Sequence, residues 1–183
     1  MVFEYILKEN NIAPSEVNID QSIDFGSTAA AFSGGQGDYT IEFEPGATAL
    51  ESENKGYVVA SLGTDSGYVP YTAFSAKKSY IEENEDTIQS FVNALQKGMD
   101  FVQNNTPETI ASVIAPQFTE TDLNTIKTIV TRYYEQDTWK NDLIFEEESF
   151  ELLQDILDNA GELSKRAPYE KLVDTSFAEN AAK

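Results

Sequence analysis

The chain has 183 residues, and 12 Lys and Arg against 32 Asp and Glu give it a formal net charge of −20. This charge disfavours nucleic acids and anionic membranes as partners, because both are polyanions. The chain has no Cys and no His, which excludes disulfides, thiol nucleophiles, zinc sites built on Cys or His, and Ser-His-Asp triads.

Residues 1–68 alternate short helical and strand-like patterns. Helices are predicted at "VFEYILKENNI", at "GSTAAAFSGG" between Ser27 or Thr28 and the pair Gly34 and Gly35, and at "PGATALESENKG" after Pro45. Strands are predicted at "VNIDQSIDF", "DYTIEFE" and "YVVASLG". Strands that alternate with helices form parallel sheets, so the expected fold class is α/β, with a short, mostly parallel sheet and flanking helices.

Residues 69–183 are predicted to form a crossover strand followed by a helical part. The aromatic-rich run "GYVPYTAFSAKKSYI" is the crossover, and helical spacing begins after it. The predicted helix boundaries are Asn84, Thr106 as N-cap with Pro107 as first residue, Thr119 with Asp122 returning a capping bond, and Gly161 as a stop. The chain thus divides into an α/β domain, 1–68, and a crossover and helical part, 69–183.

The predicted strand before Pro45 carries acids on one face. Asp38, Thr40, Glu42 and Glu44 alternate with Tyr39, Ile41 and Phe43, and alternate residues of a strand share a face. Open α/β sheets bind ligands at the carboxyl ends of their strands. We therefore predict that Glu42 and Glu44 line a ligand cleft. The alternative for Glu44 is that it only caps the helix that begins at Pro45.

Three further residues are candidate ligand contacts. Ser27 and Thr28 lie at a second strand-to-helix junction, where their hydroxyls and the free N–H groups of the helix start suit a polar ligand atom. Simple N-capping explains the same residues. Tyr71 lies in the crossover, where an aromatic side chain suits a pocket wall, and hinge packing is the alternative. No residue is predicted to be catalytic or to bind a metal.

The segment "AAAFSGGQGDYTIEFEPGATALE" resembles the substrate-binding proteins of ABC importers for nitrate, sulfonates, taurine and thiamine-pyrimidine precursors. The residues that fit the family pattern in order are Ala31, Phe32, Gly37, Asp38, Glu44 and Pro45. The run "GYVPYTAFSAKKSYIEEN" is similar to the crossover of that family, and "FELLQDILDNAGELSKRAPYEKLVDTSFAENA" is similar to its C-terminal signature.

The resemblance implies a type II periplasmic-binding-protein fold, with 1–68 as the second lobe and 69–183 as part of the first. The chain begins inside what resembles a helix of the second lobe, so the N-terminal half of the first lobe is expected to be absent. The family binds a small organic solute or anion in a cleft between lobes and presents it to a membrane permease. The resemblance implies no cofactor and no catalysis, and an extracytoplasmic full-length protein, periplasmic or a cell-surface lipoprotein.

Two expectations concern binding by this chain alone. With half of the cleft absent, its ligand affinity is expected to be weak or nil, and the acids favour an amine or pyrimidine over nitrate or a simple sulfonate. An apolar face left uncovered predicts self-association.

Two alternatives stay open at this point. One is a ligand-sensing or protein-interaction lobe without a transport role. The other is a hydrolase that uses the carboxylates of Glu42 and Glu44. A thiamine-pyrimidine synthase with the same fold depends on a histidine, which this chain lacks.

Overall fold

The computed structural model describes all residues from Met1 to Lys183. Loops and short 3-10 turns join its α-helices. None of the helices combines the length and the apolar composition that crossing a bilayer requires. The helices in chain order are α1 Val2–Glu9, α2 Thr28–Ser33, α3 Gly46–Ser52, α4 Leu62–Ser66, α5 Lys78–Glu83, α6 Glu85–Gln103, α7 Pro107–Ile114, α8 Leu123–Glu135, α9 Glu147–Asn159, α10 Tyr169–Leu172 and α11 Ser176–Ala181.

The predicted α/β fold class is wrong, because no residue of the structure lies in a β-strand and every regular element is helical. The short, mostly parallel sheet with flanking helices is therefore absent. The segments predicted as strands, 17–25, 38–44 and 57–63, are largely loops and turns. The predicted crossover strand is also absent, because residues 69–77 form a loop that leads directly into α5. The prediction that the later part of the chain is helical agrees with α5 to α11.

Local side-chain bonds explain part of this difference. A strand needs a neighbouring strand to satisfy its backbone N–H and C=O groups. The alternation of polar and apolar residues is a property of one segment and does not supply that neighbour. Within or directly beside two of the predicted strands, 17–25 and 57–63, acidic side chains accept from individual backbone N–H groups instead. Asp20 accepts from the Ser22 N–H at 2.8 Å, Asp24 from Gly26 at 3.1 Å, and Glu51 from Val58 at 2.9 Å. Such bonds compete with regular secondary structure.

Helix boundaries follow the predicted signals more closely. α2 begins at Thr28 and is followed by Gly34 and by Gly35, whose positive φ of 89° suits glycine. α7 begins at Pro107, as predicted. The helix predicted from Thr119 begins later, at Leu123, because Asp122 is its N-cap and accepts from the N–H groups of Asn124 and Thr125 at 2.9 and 3.1 Å.

The chain folds as two compact units. Unit 1 comprises Met1–Ile6, Leu62–Thr106 and Asp137–Lys183. In it α6 packs against α11 and α5. Ile156 of α9 and Ala178 of α11 are buried. Gln96 of α6 is also buried, and its Nε2 donates to the Asn141 carbonyl at 2.9 Å, so the loop after Asp137 is held to α6.

Unit 2 comprises Leu7–Ser61 and Pro107–Gln136. Its helix α8 packs against both α7 and α3, and α3 also contacts α2. The buried apolar side chains of these helices are Leu50, Ile110, Ala111, Ile126 and Val130. Full burial of one such Ile or Leu side chain contributes about 1.5–3 kcal/mol. This packing brings the polar faces of α3 and α8 together. The lobe boundaries predicted from the sequence, 1–68 and 69–183, stay a prediction.

Two glycines should respond to alanine in opposite directions. Gly98 lies inside α6 with no atom within 4 Å of an added Cβ, so Gly98→Ala should stabilise the chain by about 0.5–1 kcal/mol. A Cβ on Gly56 would lie 2.8 Å from Cε1 of Phe32, so Gly56→Ala should destabilise it by about 1 kcal/mol. Urea unfolding midpoints measure both changes. A neutral Gly56→Ala, or a destabilising Gly98→Ala, would contradict the packing described.

Candidate functional site

A polar cleft lies between α3 and α8 in unit 2. Its volume is about 340 Å³, and its lining residues are Thr48, Glu51, Ser52, Asn124, Thr125 and Thr128. The three from α3 stand at positions i, i+3 and i+4, which share one helix face. The three from α8 likewise fall within one turn. Except for Glu51, every lining residue offers a hydroxyl or an amide.

Arg132 of α8 stands next to this cleft and binds two carboxylates. Its Nη1 donates to Oε1 of Glu44 and its Nη2 donates to Oε2 of Glu51. The Nη1 atom also lies 3.2 Å from Oγ1 of Thr48. We call Arg132, Glu44, Thr48 and Glu51 the Arg132 cluster. The planar guanidinium suits such paired recognition of carboxylates.

The cluster is largely removed from water. The side chain of Glu44 is 6 % exposed and that of Arg132 is 18 % exposed. The second oxygen of Glu44 accepts from the Thr48 N–H at 3.0 Å. Both oxygens of Glu44 therefore accept hydrogen bonds, one from the first turn of α3 and one from Arg132.

Glu51 joins the cluster to the cleft. Its Oε1 accepts from the Val58 N–H at 2.9 Å. That hydrogen bond is the main reason why the pKa of Glu51 lies below its ordinary value; partial burial opposes the shift and Arg132 adds to it. Glu51 is thus ionised at neutral pH. One guanidinium between two carboxylates leaves the cluster with a net charge of minus one.

The structure brings two of the predicted ligand residues close to this site along one segment. Glu44 belongs to the Arg132 cluster, in an arrangement that combines helix capping with an ion pair. Glu42 is half-buried, and its Oε1 accepts from Oγ1 of Thr40 at 2.9 Å. The two acids lie on the inward side of the segment, and Tyr39, Ile41 and Phe43 are exposed.

The other predicted ligand residues lie elsewhere. Ser27 ends a 3-10 turn and is exposed. Thr28 is the first residue of α2, and its Oγ1 donates to the Phe25 carbonyl at 2.8 Å. Tyr71 belongs to unit 1 and is 81 % exposed. The chain has no group of three or more Asp or Glu residues that could hold a metal ion.

Sequence reasoning missed most of this site. Arg132 and Glu44 are 88 positions apart in the chain, and no local pattern connects them. A signal was present in α3, where polar residues at i, i+3 and i+4 mark one face of a short helix. A second polar set, Asn124, Thr125 and Thr128 at positions i, i+1 and i+4, lies near the start of α8.

Comparisons with known proteins identify relatives of the chain. The family described as "NMT1/THI5 like" matches residues 1–109. A protein of Bacillus subtilis (strain 168) named "Putative binding protein YtlA" is 42% identical over 180 residues, which is 98% of this chain and 54% of that protein. The chain therefore spans about half the length of the curated relative it matches. No solved structure matches the chain. These matches confirm the resemblance to substrate-binding proteins that the segment before Pro45 predicted.

Proposed function

Because this chain belongs to the NMT1/THI5-like family, we propose that it is the solute-binding component of an ABC importer, or a portion of one. The observation that carries this proposal is the identity across nearly the whole chain to a protein named as a binding protein. In this role the chain binds a small solute and presents it to the membrane permease. Binding and release make and break no covalent bond.

The polar cleft supports an amine-bearing solute as the ligand class. Glu51 lines the cleft with an ionised carboxylate, and the Arg132 cluster keeps a net charge of minus one. The hydroxyls of Thr48, Ser52 and Thr128 add neutral polar groups around it. A nitrate or sulfonate ion would meet the carboxylate of Glu51 unfavourably, whereas an ammonium or aminopyrimidine would not.

The predicted contacts of Ser27, Thr28, Glu42, Glu44 and Tyr71 with ligand stay predictions. Glu44 has a second role in this proposal. It fixes the guanidinium of Arg132 from one side, which leaves the other nitrogen to hold Glu51 at the edge of the cleft. Glu44 is thus a positioning residue for Glu51.

A binding role fits the carboxylates better than hydrolysis does. The side chain of Glu44 is only 6 % exposed, so an attacking water has little access to its carboxylate. Glu42 is held by Thr40. We accordingly propose that the protein is not an enzyme. For the full-length protein we propose an extracytoplasmic location, because an importer delivers solutes from outside the membrane.

A ligand titration with a matched pair of variants tests the proposal. We expect an aminopyrimidine to bind with a Kd in the millimolar range. At ten times the Kd it should add about 1.4 kcal/mol to the free energy of unfolding, from mass action. Taurine and nitrate should add less at the same concentration. Thermal shift and calorimetry measure these effects.

The variant Glu51→Gln should abolish most of the aminopyrimidine effect. Glu53→Gln is its control, since Glu53 is an exposed acid at the end of the same helix and does not line the cleft. Equal losses in the two variants would show that only overall charge matters. Tighter binding of nitrate than of the aminopyrimidine would contradict the ligand class, and no stabilisation by any solute would contradict the binding role of this chain.

A further inference from the structure

Four apolar side chains lie open to solvent on unit 2. They are Phe25, Tyr39, Ile41 and Phe43, with exposed fractions of 51, 80, 46 and 54 %. The rings of Phe25 and Phe43 meet edge to face with centroids 5.1 Å apart, so two segments of the chain contribute to one surface. We call these four residues the apolar strip. An open patch of large apolar groups on a protein surface is a mark of an interaction site.

The backbone of residues 39–42 within the strip makes no backbone hydrogen bonds. Exposure alternates along 39–44, with the apolar residues outward and the polar ones inward, as in an extended chain. An extended segment with free N–H and C=O groups is a template onto which a second extended chain can add.

The charge around the strip has one sign. No Lys or Arg occurs between Lys8 and Lys55, whereas acids recur through that stretch. Of these acids, Glu44 and Glu51 pair with Arg132. Asp20, Asp24, Asp38 and Glu42 have no cation at ion-pair distance. A partner that covers the strip therefore enters an uncompensated negative field.

We propose that the apolar strip is a docking site for an extended protein segment in which apolar and basic residues alternate. The backbone of that segment pairs with residues 39–42. Its apolar side chains lie beside Tyr39, Ile41 and Phe43, because neighbouring extended chains match their faces. Its basic side chains fall on the same side as Asp38 and Glu42. The self-association expected from the sequence is the competing occupant of the strip. A second copy of this chain fits less well, because it brings a net charge of −20 and an equally acidic stretch.

Two labelled peptides test this proposal by fluorescence anisotropy. One alternates Lys and Val over about six residues, and the other alternates Lys and Ser over the same length. Both carry the same charge, so a difference between them reports the apolar contacts. We expect the Lys–Val peptide to bind at least about tenfold more tightly, and we expect added salt to weaken it.

Single substitutions test where on the protein the Lys–Val peptide binds. Ile41→Lys should weaken the affinity for the Lys–Val peptide by at least about tenfold, because it places a like charge within the strip. Val113→Lys is the matched control, since Val113 is 58 % exposed on α7 and lies outside the strip; it should change binding by less than about threefold. Tyr39→Ser also removes apolar surface from the strip. Because Tyr39 is 80 % exposed, this substitution should leave the fold intact.

Four results would overturn the proposal. Equal affinity for the two peptides, or equal effects of Ile41→Lys and Val113→Lys, would reduce the interaction to unspecific charge attraction. Absence of saturable binding would remove the docking site. A concentration-dependent dimer in analytical ultracentrifugation that Ile41→Lys dissociates would assign the strip to a second copy of the chain.

Discussion

Replacing Arg132 with methionine is expected to lower the free energy of unfolding by about 3–5 kcal/mol, because it leaves a buried carboxylate without its cation. The side chain of Glu44 is only 6 % exposed, so water cannot replace the lost hydrogen bonds well. Glu51 and Thr48 lose a donor in the same variant. Urea unfolding followed by circular dichroism measures the loss.

A second ion pair on the same helix provides the control. Lys127 pairs with Glu108 at 2.5 Å, but the two side chains are 46 and 60 % exposed. Lys127→Met should therefore cost less than about 1 kcal/mol. Adding Glu44→Leu to Arg132→Met should recover part of the loss, since an apolar replacement of both partners removes the unpaired charge. Equal costs for Arg132→Met and Lys127→Met would mean that the Arg132 cluster does not stabilise unit 2.

Replacing Ile156 with alanine is expected to lower the free energy of unfolding by about 2–5 kcal/mol, through lost burial and the cavity left behind. Ile156 lies on α9 in unit 1 and is 2 % exposed. Ile156→Val removes one methyl group and should cost about 0.5–1.5 kcal/mol. The ratio of the losses in unfolding free energy for Ile156→Ala and Ile156→Val tests whether the side chain of Ile156 is packed on all sides.

Leu172 of α10 serves as the exposed control for this series. It also belongs to unit 1 but is 67 % exposed, so Leu172→Ala should cost within about 0.5 kcal/mol. A loss for Ile156→Ala no larger than that for Leu172→Ala would contradict the core assigned to unit 1.

The helices could be predicted from local signals, whereas the fold class could not. A first-turn Pro107 or a stop at Gly161 acts within a few residues, and the structure uses both. At α8 the structure uses Asp122 as the N-cap in place of the predicted start at Thr119.

A β-strand forms only when a neighbouring strand pairs with its backbone. The residues from Asp38 to Glu44 do not indicate whether such a neighbouring strand is present. The alternation of polar and apolar residues in this run correctly predicted two faces. In the structure, however, the apolar face is the one exposed to solvent.

The acidic face of this segment points inward because of a residue that is distant in the sequence. Arg132 supplies the charge that allows Glu44 to be buried, and Glu51 shares the same guanidinium. Sequence reasoning placed Glu44 at a helix start and in a binding region, and the structure gives it the capping contact to Thr48. The cleft residues of α8 were missed because the fold of unit 2, and not a motif, brings α8 to α3.

Nitrogen-15 NMR of the chain during a titration with an aminopyrimidine tests the central claim most directly, since that claim assigns solute binding to the polar cleft. We predict saturable shifts of the backbone amides of Thr48, Ser52, Asn124, Thr125 and Thr128, with Val113 on α7 unchanged. Saturable shifts confined to other parts of the chain, or no shifts at millimolar ligand, would contradict the claim.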